Sequence, residues 1–264
     1  MTRAAAIAAG ALLLLLLGIP IASLILRVPA ASLAARMSEP AIQEALRLSL
    51  VTTLASTLII VLLGTPVAYV LATRSFPGKR VVETVIDLPM VLPPTVAGLA
   101  LLLAFGRAGF VGRALGIELP FTTLAVILAQ VFMSAPFFIA PARAGFSGVD
   151  RRLVDAAATL RASEGYTFAR VVLPLTLPSL TAGAAMASAR ALGEFGATIT
   201  FAGNLPGVTQ TMPLAVYVAF QSDLEAAIVL SVLLMILSFG LLLGLRAATG
   251  RMGSASSLVS PIAR

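Results

Sequence analysis

Apolar residues along this chain come in long unbroken runs rather than in alternating or helical stripes. Uncharged stretches cover Ala4 to Leu26, Leu48 to Ala72 and Thr122 to Ala142. Three more, Val85 to Phe105, Leu175 to Phe201 and Leu224 to Leu245, carry only one or two charges each. A helix of about 20 residues crosses the roughly 30 Å hydrocarbon layer, so the pattern predicts about six transmembrane helices and an all-α polytopic membrane protein. Arg3 before the first run and Ala30-Ala31-Ser32 after it also suit a signal peptide. The run exceeds a typical signal core, so an uncleaved span is the expectation.

Composition agrees. Hydrophobic residues make up 59% of the 264 and charged ones 11%, with mean hydropathy +1.04. A water-soluble domain could not cover that much apolar surface. Cysteine and histidine are absent, which excludes disulfides, thiol chemistry, zinc sites and histidine acid–base catalysis. The net charge of +7 does not point to nucleic acid. What matters is its placement. One side of the predicted bundle collects Arg3, Arg74, Lys79, Arg80, Arg143, Arg151, Arg152, Arg161, Arg170, Arg246, Arg251 and Arg264, the other only Arg27, Arg36, Arg47, Arg107 and Arg113. Positive charge marks the cytoplasmic face, so both termini are expected inside.

Between the fourth and fifth runs lies GVDRRLVDAAATLRASEGYTFARVVLPLTLP. Asp150 suits a helix cap, and Leu153, Ala156, Ala157 and Leu160 then fall on one face. Ser163 or Glu164 is expected to open a second short helix ending before Pro174. The hairpin is too short and too charged to span. It either lies on the inner leaflet or docks into a groove on a soluble partner.

This wording resembles the cytoplasmic signature of ABC importer permeases: Asp155-Ala156-Ala157 stands for its Glu-Ala-Ala, and Val171-Val172-Leu173-Pro174 for its aliphatic-x-Leu-Pro. Arg161 stands at the signature's glycine, where an arginine is not expected to supply the left-handed turn. DLPMVLPPTVAGLALLLAFGRAGFVG (Asp87 to Gly112) and ARALGEFGATITFAGNLPGVTQTMPLAVY (Ala189 to Tyr217) further resemble the molybdate branch of the molybdate/sulfate permeases. The resemblance runs from about Leu46 to Arg246. It implies a type I importer permease forming one domain, 1–264. Its parts would be a peripheral first helix and external loop (1–45), a permease core (46–246) and a cytoplasmic tail (247–264). It also implies a homodimer in the bacterial inner membrane, two ATP-binding cassette subunits on the cytoplasmic side, and an extracytoplasmic molybdate-binding protein. The chain itself would bind no cofactor and catalyse nothing, ATP being used by the partner. Leu153, Asp155, Ala156, Ala157, Leu160, Arg161, Leu173 and Pro174 would form the ATPase-coupling segment.

Two further features need a reason to exist in lipid. Arg190 and Glu194 sit four apart in the fifth run, where each charge costs roughly 2.5–3.5 kcal/mol on insertion scales. They must pair, reach the interface or face a polar cavity. The order Arg-then-Glu is the less favourable one for a local helical pair, leaving a bond to another helix equally open. Ala185, Ala189, Gly193 and Ala197 form a small-residue ridge on that helix, suited to close packing or to a pore lining. The resemblance implies that Arg190, Gly193, Glu194 and Ala197 belong to the pathway or gate. Pro89, Pro93 and Pro94 are expected to break the third span. The loop Ala202 to Pro213 is an external gate, a docking surface or a plain turn.

Gly78-Lys79-Arg80 lacks the glycine loop and hydroxyl residue of a phosphate-binding loop, so energy must come from another chain or an ion gradient. A gradient-driven transporter would need internal repeats and midplane ligands. A membrane enzyme would have only residues such as Ser134 and Ser188 to use, without an evident base. Sulfate or tungstate is the alternative to molybdate within the importer reading.

Overall fold

The computed structural model describes the backbone of residues 3–28, 30–116 and 118–256, and the side chains of all of these but 30, 31, 34, 115 and 245–256. Part of the expected tail, 257–264 with Arg264, therefore lies outside the described residues, as do the side chains of Arg246 and Arg251. Every regular element among the described residues is helical.

Six segments are long and apolar enough to cross a bilayer: Arg3–Leu26, Pro40–Thr73, Pro94–Ala114, Thr123–Ser147, Glu164–Leu192 and Leu224–Gly244. The first is helix α1 (Arg3–Leu26), which buries none of its residues and touches the last helix, α13 (Leu224–Ser256). A short helix α2 (Ala30–Met37) leads to α3 (Pro40–Thr73). With 34 residues, α3 is about 51 Å long and exceeds the bilayer core. The expected third span is divided: α4 (Lys79–Val91) and α5 (Pro94–Phe105) are separate helices, and only α5, followed by the short α6 (Phe110–Leu115), has membrane character.

The centre of the bundle is the packing of α3, α7 (Thr123–Ser147) and α10 (Leu173–Leu192) on one another. Phe138 of α7 is fully buried there, and glycines on both neighbours make room for its ring. A Cβ on Gly64 of α3 would lie 2.7 Å from Phe138 Cδ1, and one on Gly183 of α10 would lie 3.0 Å from the Phe138 carbonyl oxygen. Gly183, Ala187 and Ala191 are spaced by four and all buried. This is the face that packs, not the expected ridge two residues on, where Ala185 and Ala189 are half-buried and Gly193 is exposed.

A second device holds α3 to its neighbours. Ser49, Thr52, Thr53, Ser56 and Thr57 are buried along one stripe of α3. Gln130 of α7 donates to the Thr52 hydroxyl at 3.2 Å and accepts from Ser56 at 3.1 Å, while Thr57 and Ser188 share a 2.9 Å hydrogen bond. In lipid such bonds are adhesive because water offers no alternative partner. Ser188 is thus a structural link, and no described base adjoins Ser134, whose hydroxyl has no partner.

At one end of the bundle, α2 is clasped to α13. Arg36 donates to Asp223 at 2.8 Å, and Ser32 donates to Glu225 at 2.7 Å. Asp223 also accepts the Ala226 amide at 3.0 Å, capping α13. The other end carries the arginines. Arg143 of α7 pairs with Glu83 of α4 at 3.0 Å, and Tyr69 of α3 meets Phe146 and Phe168 edge-on at centroid distances of 5.4 and 5.0 Å.

Candidate functional site: hairpin, rod and paired helix breaks

From the arginine-rich end, α8 (Arg151–Thr159) projects as a separate short helix. Asp150 caps it, accepting the Arg152 amide at 2.9 Å. Val154 packs on the main core, and Val154 and Ala158 line the cavity between α8 and the bundle. Of the predicted stripe, Leu160 is 83% exposed and Ala156 exposed, Ala157 is half-buried, and Leu153, 46% exposed, lines a cleft with Gly145 of α7 and Leu175 of α10. Asp155 lies with Val154 on the cavity side. No described helix of this chain covers Ala156 or Leu160, and α8 buries no residue completely.

The turn that ends α8 corrects one expectation. Arg161 adopts φ +58°, the left-handed conformation that glycine would give. The Ala162 amide bonds the Ala157 carbonyl at 3.1 Å and the Arg161 amide bonds Ala158 at 3.0 Å, the two bonds of a Schellman cap. They close the turn without glycine, against roughly 1–2 kcal/mol of left-handed strain.

A second correction concerns the next helix. Ser163 caps α9 (Glu164–Thr167), accepting the Tyr166 amide at 3.2 Å. This helix does not stop before Pro174. It passes through a π turn, Phe168–Val172, directly into α10, with the Leu173 amide bonded to the Phe168 carbonyl. Proline at 174 has no amide for a bond to residue 170 and its ring crowds that carbonyl. Widening the helix by one residue just upstream accommodates both defects. Leu173 accordingly packs on the main core and Pro174 is exposed. The result is one rod of 29 residues, Glu164–Leu192.

The rod ends where the sequence predicts continuation. Gly193 (φ −86°, ψ 7°) and Phe195 (φ −128°, ψ −56°) leave helical geometry before α11 (Gly196–Phe201) begins. This break explains the two charges. Glu194, 1% exposed, turns one carboxylate oxygen to the Ala197 amide at 2.8 Å, capping α11. Its other oxygen lies 2.6 Å from Arg190 Nη2, a close ion pair without hydrogen-bond alignment. The pair is local, despite the unfavourable order, because the glutamate has left the helix and can fold back on the arginine. Ala197, expected on the ridge of the rod, is instead fully buried in α11.

The other break lies alongside. Leu92 (ψ 134°) and Pro93 (ψ 133°) are extended between α4 and α5, because each precedes a proline and is pushed out of helical geometry. Pro89 does not break anything; it sits buried inside α4. Pro94, the first residue of α5, meets Gly196, the first of α11: a Cβ on Gly196 would lie 2.6 Å from Pro94 Cβ. One turn on, a Cβ on Gly98 would lie 2.7 Å from Thr200 Cβ and 2.8 Å from the Ala197 carbonyl. The two interrupted spans therefore join at their interruptions. After the loop from Ala202, helix α12 (Met212–Ser222) returns against α3 and α13, placing Tyr217 5.0 Å from the Phe195 ring. Sequence reasoning missed both this helix and the break at 193–195. The Gly-Glu-Phe-Gly stretch, with two glycines flanking a charged residue in an apolar run, was the available signal.

Comparisons with known proteins agree with this architecture. The family model of the binding-protein-dependent transport system inner membrane component matches residues 64–248. The molybdenum transport system permease protein ModB of Mycobacterium tuberculosis is 45% identical over 235 residues, 87% of this chain and 88% of that protein. ModB of Escherichia coli K12 is 45% identical over 159 residues, 59% and 69% of the two chains. A chain from the crystal structure of a bacterial ABC transporter involved in the import of the acidic polysaccharide alginate superposes with TM-score 0.76, covering 94% of each chain at 13% identity, so the fold is shared far beyond the sequence. With interrupted helices held together, a projecting hairpin and a family match over most of its length, this chain belongs to the inner-membrane components of binding-protein-dependent transport systems.

Proposed function

We propose that this chain is the membrane-spanning subunit of an ATP-driven molybdate importer, working as a homodimer. Two ATP-binding cassette subunits would bind the arginine-rich, cytoplasmic end, and an external binding protein would deliver the oxyanion. The carrying observation is the outward apolar face of α8, Ala156 and Leu160, which no described helix of this chain covers. Its shape suits a helix seated in a groove of another subunit. The molybdenum permease relatives favour molybdate over sulfate or tungstate.

The geometry supplies a route for the stroke. Val154 and the Schellman turn tie α8 to the rod, the rod runs uninterrupted to Leu192, and motion is taken up at the break beyond it. Because Pro94 bears on Gly196, a shift of α11 carries α5 with it, so two gate elements move as one rigid body. Arg190 is neutralised by Glu194 at 2.6 Å, so the pair holds the gate's shape and anion affinity rests with the binding protein. Arg190, Gly193, Glu194 and Ala197 are thus gate residues, and Pro93 and Pro94 the companion hinge. No nucleotide or other cofactor is assigned to this chain.

The test is co-purification with the ATPase subunit. Leu160→Asp and Ala156→Arg leave Val154 untouched, so the chain should fold while ATPase association falls by more than about tenfold, the loss of about 1.4 kcal/mol or more. Intact complexes with normal uptake from both variants would defeat the docking role.

A further inference from the structure

Two cavities meet where the end of α3 faces the start of α9, and both are lined by Tyr69, Arg74 and Glu164. One, of about 520 Å³, lies between α8 and the ends of α3 and α7 and also receives Arg151. The other, of about 570 Å³, is a groove on the flank of α3 against Phe168, floored by Val61, Leu62, Pro66 and Val70. Those α3 residues span nine steps, about 14 Å, or half of the roughly 30 Å hydrocarbon layer. The groove has the length of one leaflet and carries Arg74 at one end.

That end carries one arginine and one glutamate, and the two are only weakly paired. Arg74 lies just past the end of α3 and is two-thirds exposed; among the described residues its counter-charge is Glu164, at 4.0 Å with a carboxylate almost wholly in solvent. A contact of that kind contributes little. Lys79 reaches the Arg74 carbonyl at 3.3 Å, adding a second cation. A phosphate beside Arg74 would gain charge-assisted bonds that Glu164 does not give.

We propose that this groove and its mouth hold one anionic phospholipid of the inner leaflet, its phosphate on Arg74 and one acyl chain along Val61 to Val70. The lipid props the start of the rod at α9, on which α8 is hinged, so coupling depends on leaflet composition. Basic pockets between helices on the cytoplasmic side are suited to such headgroups, and the proposal rests on the orientation given under Proposed function. The lipid is read without any transport measurement, so the two ideas fail separately. Orientation is tested by labelling Arg161→Cys with an impermeant maleimide, in a chain that has no other cysteine.

The experiment uses the full chain with its ATPase subunits in nanodiscs of phosphatidylcholine alone and of an equal mixture with phosphatidylglycerol. Native mass spectrometry should find one phosphatidylglycerol retained per copy of the chain, and ATP hydrolysis should be several-fold higher in the mixture. Arg74→Gln should lower retention about fivefold, the worth of one basic residue near an anionic surface. Val70→Trp, which fills the groove and spares Arg74, should abolish it, whereas Arg80→Gln, outside the groove, should not. Equal retention of the two lipids, indifference to both groove variants, or displacement by millimolar inorganic phosphate would overturn the proposal. So would cross-linking of Val70→Cys to a second copy or to the ATPase, since protein would then occupy the groove.

Discussion

Gly196 opens one helix directly against Pro94, the opening residue of another, at a separation that leaves no room for a methyl group: the added carbon would sit 2.6 Å from Pro94 Cβ. The close approach of two backbones requires glycine here. Gly196→Ala should force the breaks apart, lowering stability by about 1–3 kcal/mol, as overpacking does. Thermal unfolding of the purified complex measures the loss. Uptake should fall further than that of a variant equally destabilised in the α12–α13 contact.

Arg190 and Glu194 form a test of pairing between a buried carboxylate and a half-buried guanidinium. Arg190→Met leaves a buried carboxylate with one amide partner and should cost about 3–5 kcal/mol. Adding Glu194→Gln removes the charge but keeps an oxygen for the Ala197 amide, so the double variant should recover most of that stability. If single and double variants melt alike, the ion pair is not what holds this turn.

Arg161 occupies a left-handed backbone, φ +58°. Glycine there removes the strain but loosens the unfolded chain, so Arg161→Gly should gain no more than about 1 kcal/mol and preserve ATPase stimulation. Valine, branched at Cβ, should loosen the turn. The measurements are unfolding midpoint and ATP hydrolysis, and the order Gly, Arg, Val in stability is the expected one.

Phe138 lies between Gly64 and Gly183. A methyl at Gly64 would press a ring that is backed on its far side by Gly183, so Gly64→Ala should cost about 1–3 kcal/mol. Gly64→Ala combined with Phe138→Leu, which shortens the knob, should recover part of the loss. An additive double variant would show that the ring is free to shift.

Asp223 sits outside the membrane spans and its carboxyl is held below the ordinary value of 3.8, first by the Ala226 amide, against a smaller opposing effect of burial, with Arg36 adding to the lowering. A group depressed in the folded state contributes stability that is present above its unfolded pKa and lost as pH falls through the folded one. The α2–α13 clasp should therefore be indifferent to pH from neutrality down to about 4 and loosen below the ordinary carboxylate range. Hydrogen exchange in α2 reports this, and Asp223→Asn should show raised exchange already at neutral pH.

Much of this architecture was legible in the sequence, and the exceptions share a physical cause. Hydropathy located the runs because lipid demands long apolar helices, and Asp150 announced the start of α8 through cap chemistry. The break at 193–195 escapes hydropathy because the flanking residues are apolar on both sides, and only the tertiary contact with Pro94 makes an interrupted backbone tolerable. Pro89 and Arg161 misled in opposite ways. Each was assigned its usual conformational effect, and packing and the Schellman bonds overrode both. The hydroxyl stripe of α3 is visible in the spacing of residues 49, 52, 53, 56 and 57, but the leucines and isoleucines between them keep the run apolar on average and mask its polar face.

The π turn at Phe168–Val172 has a consequence for gearing. Because it continues the helix through Pro174, hairpin and span are joined without an intervening loop. A push at the base must reach the far tip as tilt. Over 29 residues, about 43 Å at 1.5 Å each, a lean of about 10° would sweep that tip through roughly 7 Å, so on the proposed coupling a modest nod at one end would widen a path at the other.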